Sequence, residues 1–189
     1  MPAIVRRFPL LAALAAFTVL FFAAVPAAHA ASARQLTLDG RRALDKLYAE
    51  EPRSRVFGRH AVAILVFPSI IKGGLVFGAE TGNGVLLSRS EEPLGFYNIS
   101  AASWGLQAGG QAFSYALFFM SHHALHYLHN SGGWAIGTDP NIVVVNTGAA
   151  VTANSTTLTH DVYAFPFAQK GLMAGITIRG SKITRIHPD

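Results

Sequence analysis

Apolar residues recur every three to four positions in the segment after residue 31, with charged residues between them. Ser32 and Gln35 have the spacing of a capping box, in which two side chains satisfy free backbone amides at a helix start. Leu36 and Leu44 fall on one side of such a helix, and Pro52 ends it. The pattern predicts an N-terminal amphipathic helix, which packs against its own domain or lies on a membrane surface.

The pattern becomes strand-like after residue 60. Residues 61–67 form a continuous apolar run closed by Pro68, which is typical of a buried strand. Later apolar runs are short and contain glycines, which inside strands indicate bulges, bends or close backbone approach. Ser121 and the pair Gly132-Gly133 bound one short helical pattern. We therefore predict an α+β fold: a strongly bent, barrel-like antiparallel sheet with an N-terminal helix and a short central helix.

The last residues predict a hairpin. Residues 176–179 and 182–186 alternate apolar and polar positions around Gly180-Ser181. A two-residue loop with glycine first is a hairpin turn, and it places Ile178 opposite Ile183.

The first thirty residues have the three parts of a secretory signal. Arg6 and Arg7 precede an uncharged run over residues 8–24, and Ala28-His29-Ala30 has the small residues of a cleavage site. We expect cleavage before Ala31, export to the periplasm or the outside, and one domain over residues 31–189. The alternative is an uncleaved anchor helix, since the run is slightly shorter than a spanning helix needs. The chain has no cysteine, so acylation at a cysteine is excluded.

Charge is absent from the middle of the chain. Between residues 93 and 160 the only formally charged residue is Asp139, whereas ordinary domains carry roughly 25% charged residues. Two interpretations remain open. The stretch forms a large buried sheet with an uncharged polar outer face, or it exposes a surface that meets lipid, membrane or another subunit.

Basic residues collect at the two ends of the expected mature domain, and each end carries a net charge of +3. They are Arg34, Arg41, Arg42, Lys46, Arg53, Arg55 and Arg59 near the start, and Lys170, Arg179, Lys182 and Arg185 near the end. If the fold brings the ends together, one face would attract anionic headgroups. Otherwise these are ordinary solvated positions. No nucleic-acid motif appears, so nucleic acid is not expected as a partner.

Four histidines lie within eight residues, and His122, His126 and His129 share one side of the predicted central helix. Histidines four residues apart can hold zinc, which makes these three the metal candidates. No cysteine or carboxylate lies nearby in sequence, so a polar outer face is favoured and no bound metal is expected.

The sequence contains no recognisable catalytic motif. The chain has no Gly-x-Ser-x-Gly turn, and its histidines have no evident serine or aspartate partner. Among the acids, only Glu80 and Asp161 flank strands closely enough to suggest a site, and neither has a visible partner. We predict a protein that is not an enzyme and uses no cofactor.

Five segments resemble, in order, the SYLF domain family. They read AILVFP at 63–68 with KGG at 72–74, GNGVLL at 82–87, FYNIS at 96–100, SWGLQAG at 103–109 and QKGLMAG at 169–175. The resemblance spans residues 33–187.

This resemblance implies lipid binding without catalysis. Eukaryotic members recognise phosphoinositides, and bacterial members are exported and are often lipoproteins, although this chain lacks the cysteine for that anchor. The expected partner is anionic phospholipid or a membrane surface. From their charge alone, Arg41, Arg42, Lys72 and Lys170 are the headgroup candidates. The alternative is an envelope structural or protein-interaction domain, for which a homo-oligomer stays open.

Overall fold

The computed structural model describes residues 32–74, 77–104, 109–130, 132–135, 142–145, 158–171 and 181–189. All of them belong to the unit Ala31–Asp189. The predicted signal peptide and the first strand of the predicted C-terminal hairpin lie outside the described residues.

Three helices are described: α1 (Ala33–Glu50), α2 (Ser54–His60) and α3 (His122–Asn130). The Ser32 side chain accepts a hydrogen bond from the Gln35 backbone N–H at 3.2 Å, which caps α1. The Gln35 side chain donates to Asp39 instead of to the cap backbone, so only half of the capping box forms. Both predicted helices, the N-terminal one and the short central one, are confirmed. No helix in the described part of the chain is long and apolar enough to span a membrane.

Eight strands form one strongly curled sheet with the order β5-β8-β3-β2-β1-β4-β7-β6. The strands are β1 (Ala63–Gly74), β2 (Phe77–Ser88), β3 (Pro93–Trp104), β4 (Gly109–Phe119), β5 (Trp134–Ala135), β6 (Ile142–Val144), β7 (Val162–Gly171) and β8 (Lys182–Ile186). The predicted α+β fold with a strongly bent, barrel-like sheet is confirmed, with one difference. Strands β6 and β7 pair in parallel, so the sheet is mixed rather than purely antiparallel. Residues 145–161 separate these strands and are numerous enough for the crossover that parallel pairing requires.

The curl of the sheet follows from a contact between distant strands. Phe119 on β4 and Trp134 on β5 lie with their ring centroids 5.8 Å apart, although four strands separate β4 from β5. A flat sheet would hold those strands about 24 Å apart. The face that carries these two rings is therefore concave, and we call it the inner face. Ala124 and Leu128 of α3 pack into the same core.

The opposite, outer face is covered by α1 and α2. Leu44 and Leu47 of α1 and Phe57 of α2 pack there against Val66 and Val85. The two faces thus each bury an apolar core, which is why the middle strands read as continuous apolar runs rather than alternating ones.

A β-bulge bends the centre of the sheet and explains two glycines of the GNGVLL segment. The register between β1 and β2 shifts between Val66 and Ile71, so β1 holds one residue more than β2 there. A Cβ at Gly82 would lie 2.6 Å from the Ser69 carbonyl oxygen, and a Cβ at Gly84 would lie 2.6 Å from the Val66 carbonyl oxygen. Only glycine allows this close approach.

The second half of the predicted C-terminal hairpin is a strand, β8. Its described partners are β3 on one edge and β5 on the other, with Ile183 opposite both Ile99 and Trp134.

Candidate functional site

A groove of about 470 Å³ lies on the outer face, between α1 and the ends of β4 and β7. Its volume is within the range of small-molecule sites. The residues that line it are Asp39, Arg42, Ala43 and Lys46 on α1, and Pro68, Ser69, Ala112, Phe113, Ser114, Ala168 and Lys170 on the sheet. Small side chains form most of the sheet side, and three cations surround it. We call this the basic groove.

Two of the four predicted headgroup residues meet in the basic groove. Arg42 and Lys46 are four residues apart and therefore lie one turn apart on the same side of α1. Lys170 is on β7 opposite Ala112 of β4, and both side chains line the groove. The fold thus brings a cation from the end of the chain next to two from its start.

The groove cations are only weakly engaged by protein acids. Arg42 Nη1 lies 3.3 Å from Asp39 Oδ1, and Lys46 Nζ lies 3.6 Å from Glu50 Oε1. These pairs are solvent-exposed, and such pairs contribute about 0–1 kcal/mol. Lys170 has no ion pair within 4.0 Å among the residues that the structure describes. An anion entering the groove would therefore compete with weak pairs only.

Arg41, the third predicted headgroup residue, lies on the other side of α1. Its Nε and Nη2 donate to the Glu91 carbonyl oxygen at 3.0 and 2.6 Å, and Nη2 lies 3.8 Å from Glu92 Oε1. Successive helix residues point about 100° apart, so neighbours in sequence diverge to opposite flanks of the helix. The structure gives Arg41 a fixed contact with the β2–β3 turn, away from the groove.

Lys72, the fourth candidate, belongs to a row of polar residues on the inner face. It is paired in register with Glu80 of β2 on one side and with Gln111 of β4 on the other, so Lys72 lies between these two residues. Glu80 and Gln111 are 5% and 4% exposed, and Tyr115, further along β4 on the same face, is 0% exposed. Glu80 Oε1, Gln111 Oε1 and the Tyr115 hydroxyl have no hydrogen-bond partner among the described residues. We call these three side chains the inner oxygen cluster.

The electrostatics of the cluster reflect its burial. Burial raises the pKa of the Glu80 carboxyl above its ordinary value, and the nearby Lys72 opposes this in part. Burial, together with the charge of Glu80, raises the pKa of the Tyr115 hydroxyl. The sequence indicated Glu80 and Lys72 but not Gln111 or Tyr115, because these two lie on β4 and their proximity depends on strand register.

The predicted histidine candidates face solvent on α3 and do not converge. His126 lies against Asn130, with Asn130 Nδ2 2.8 Å from His126 Nε2. His129 Nδ1 lies 3.0 Å from the Tyr97 hydroxyl, and burial, then Arg185 and His126, lower the pKa of His129. Nowhere in the described ranges do three metal-ligating side chains gather into a metal site. Asp161, the second acid that the sequence singled out, accepts a 2.7 Å hydrogen bond from Ser121, which caps α3.

Part of the charge-free stretch is interior where the structure describes it. From Phe113 to Phe119 every residue is buried, as are Tyr97, Ile99 and Trp134. In the described part of this stretch, only Leu94 and Val144 are large exposed apolar residues. Burial in a two-faced sheet therefore accounts for the missing charges of the buried residues, whereas exposed described positions such as Ser100, Gly109 and Asn130 are uncharged without being buried. Residues 105–108, 131, 136–141 and 146–157 lie outside them.

These features define a small α+β domain, built on a curled sheet with a cationic groove on one face. A comparison with protein families identifies it further. Residues 100–187, from β3 to β8, match the family model Ysc84, described as "Las17-binding protein actin regulator". This match covers 88 of the 189 residues and agrees with the SYLF resemblance that the sequence motifs indicated. No curated protein matches the chain.

Proposed function

We propose that the domain binds anionic phospholipid headgroups in the basic groove, without catalysing a reaction. One observation carries this proposal: Arg42, Lys46 and Lys170 surround a groove of headgroup size that small side chains line on the sheet side. The SYLF family supports lipid binding as the general class of activity. The family description names a protein partner, and we do not extend it to this chain.

The expected strength of binding follows from the number of cations. Each Lys or Arg close to an anionic surface contributes about 1 kcal/mol. Three together contribute roughly 3 kcal/mol, which corresponds to about a 100-fold change in affinity. Because the groove pairs with Asp39 and Glu50 must loosen on binding, we expect the effect at or somewhat below this value.

Vesicle flotation tests the proposal. The protein without residues 1–30 should float with phosphatidylcholine vesicles that contain phosphatidylglycerol, and not with phosphatidylcholine alone. Lys170→Ala should weaken binding about fivefold, and neutralising Arg42, Lys46 and Lys170 together should weaken it by up to about 100-fold. Arg59→Ala is the matched control, since Arg59 is an exposed cation outside the groove. If Lys170→Ala and Arg59→Ala weakened vesicle binding equally, binding would depend on net charge alone. That result would contradict a specific site in the groove.

Export is part of the same proposal and rests on the pattern of residues 1–30. Expressed in a bacterium with an active secretion pathway, the protein should be recovered outside the cytoplasm with Ala31 as its first residue. Intact-mass measurement distinguishes this from a chain that retains Met1 and stays inside the cell, which would contradict export.

A further inference from the structure

The inner oxygen cluster is a polar group in an otherwise apolar core. Its neighbours on the inner face include Ile70, Phe113 and Leu65, all buried. Buried polar atoms almost always have hydrogen-bond partners, because an unpaired one has lost its water without compensation. Three unpaired oxygens on β2 and β4, the two strands that flank β1, one of them a carboxylate oxygen, therefore indicate that a donor from outside the described residues belongs there.

Glycines border one end of this cluster in the described strands. Two residues beyond Lys72, Glu80 and Gln111 on the same face, the paired positions are Gly74, Gly78 and Gly109. Glycines have no side chain, so these three strands place nothing over the end of the cluster. Gly109 is exposed and Lys72 is partly exposed, so this end of the row reaches solvent. The opposite end of the inner face is the one that α3 packs against.

The hydrogen-bonding capacity of the three oxygens indicates which chemical group would fit them. A carboxylate accepts hydrogen bonds only, the Gln111 amide oxygen also accepts, and the Tyr115 hydroxyl accepts as well as donates. A primary ammonium has three N–H donors and a positive charge, which match three oxygens and the charge of an ionised Glu80. We infer that Glu80, Gln111 and Tyr115 form an inner-face site for a primary ammonium group, carried by an ethanolamine lipid headgroup or by a small free amine.

Lys72 sets the entrance of this site. It lies beside Glu80 in register, yet no ion pair within 4.0 Å joins the two residues in the described structure. Its partly exposed side chain can therefore extend to solvent while another ammonium occupies the oxygens. The site lies on the opposite face of the sheet from the basic groove, so it does not depend on the anionic-lipid proposal.

A matched pair of ligands tests the inference, because choline differs from ethanolamine in having no N–H donor. The purified protein is titrated calorimetrically with free ethanolamine, free choline, and short-chain phosphatidylethanolamine and phosphatidylcholine. Binding of either ethanolamine compound, with at least tenfold weaker binding of its choline counterpart, is the expected result. A response to the lipid alone assigns the ammonium to a headgroup, and a response to free ethanolamine assigns it to a small amine. Equal binding of the ethanolamine and choline forms, or no binding of any, would overturn the inference.

Two conservative variants locate the site. Glu80→Gln keeps the shape and removes the charge, so it should weaken ethanolamine binding by tenfold or more. Tyr115→Phe removes one oxygen and should weaken it several-fold, while circular dichroism reports that the fold is retained. Wild-type affinity in both variants would contradict the assignment. The Arg42, Lys46 and Lys170 triple variant should keep its ethanolamine response, which separates failure of this site from failure of the groove.

Discussion

The seating of α1 on the sheet depends on Gly40, and this dependence can be tested quantitatively. Gly40 is buried within α1, and a Cβ at this position would overlap Val85 Cγ1 of β2. Val85 is fully buried and paired with both Val66 and Phe96, so it has little room to move. The same helix carries Arg42 and Lys46, so a displaced α1 would also widen the basic groove.

Two opposing terms set the effect of Gly40→Ala. Alanine is favoured over glycine in a helix interior by about 1 kcal/mol. Overpacking a buried contact costs about 1–3 kcal/mol. We therefore expect a net destabilisation of roughly 1 kcal/mol, at a position where helix propensity alone predicts a gain of the same size.

A double-mutant cycle separates the two terms. Val85→Ala removes two methyl groups, a transfer loss of about 1.6 kcal/mol plus a cavity term. In the double variant the new methyl at residue 40 enters the vacated space, so the two changes should couple favourably by about 1–2 kcal/mol. Urea denaturation followed by circular dichroism gives the four free energies of unfolding. Additivity within about 0.5 kcal/mol, or a stabilised Gly40→Ala single variant, would refute the close packing of α1 on β2.

Three further predictions concern single contacts. Arg41→Met removes two hydrogen bonds to the Glu91 carbonyl and should lower the free energy of unfolding by about 1–2 kcal/mol in urea titrations, with vesicle affinity nearly unchanged. Phe57→Ala empties the ring cluster with Phe165 on the outer face, where the centroids lie 5.0 Å apart, and should cost about 3–5 kcal/mol; a loss below 1 kcal/mol would contradict that packing. The pKa of His129 is lowered from 6.5 in the folded protein, so the unfolded chain gains the proton first as pH falls. The stability of the fold should therefore decrease below about pH 6.5. His129→Gln should reduce this decrease in melting curves recorded across that range.

The fold was predictable from the sequence where a local pattern dictates it. Ser32 capped the first helix as its spacing indicated, and glycines inside strands marked the bends of a curled sheet. The parallel pairing of β6 with β7 was not predictable, because three-residue strands carry no signal of direction. The place of β8 between β3 and β5 also depends on long-range pairing, which a local hairpin pattern does not report.

The candidate sites required tertiary information. Charge alone made Arg41 and Arg42 equal candidates. The orientation of α1 distinguishes them, because Arg41 contacts the Glu91 carbonyl whereas Arg42 lines the groove. Lys46 is one of the basic residues near the start of the domain, but it is not among the four predicted headgroup residues. Its four-residue spacing from Arg42 would have indicated that both lie on the same side of the helix. The partners of Glu80 appear only once the register of β1, β2 and β4 is known. The charge-free stretch suggested an apolar surface as one of two interpretations; burial explains the missing charges of segments such as Phe113–Phe119, and Leu94 and Val144 are the large apolar residues that the described part of the stretch exposes.

The central claim is that anionic headgroups occupy the basic groove. Its most direct test is an NMR titration of the isotope-labelled protein with a soluble short-chain phosphatidylglycerol. We expect the largest chemical-shift changes at residues 39–46 of α1 and at Ala112, Ala168 and Lys170 across the groove. Changes confined to another region, such as α3 and its histidines, or no saturable changes at low salt, would contradict it.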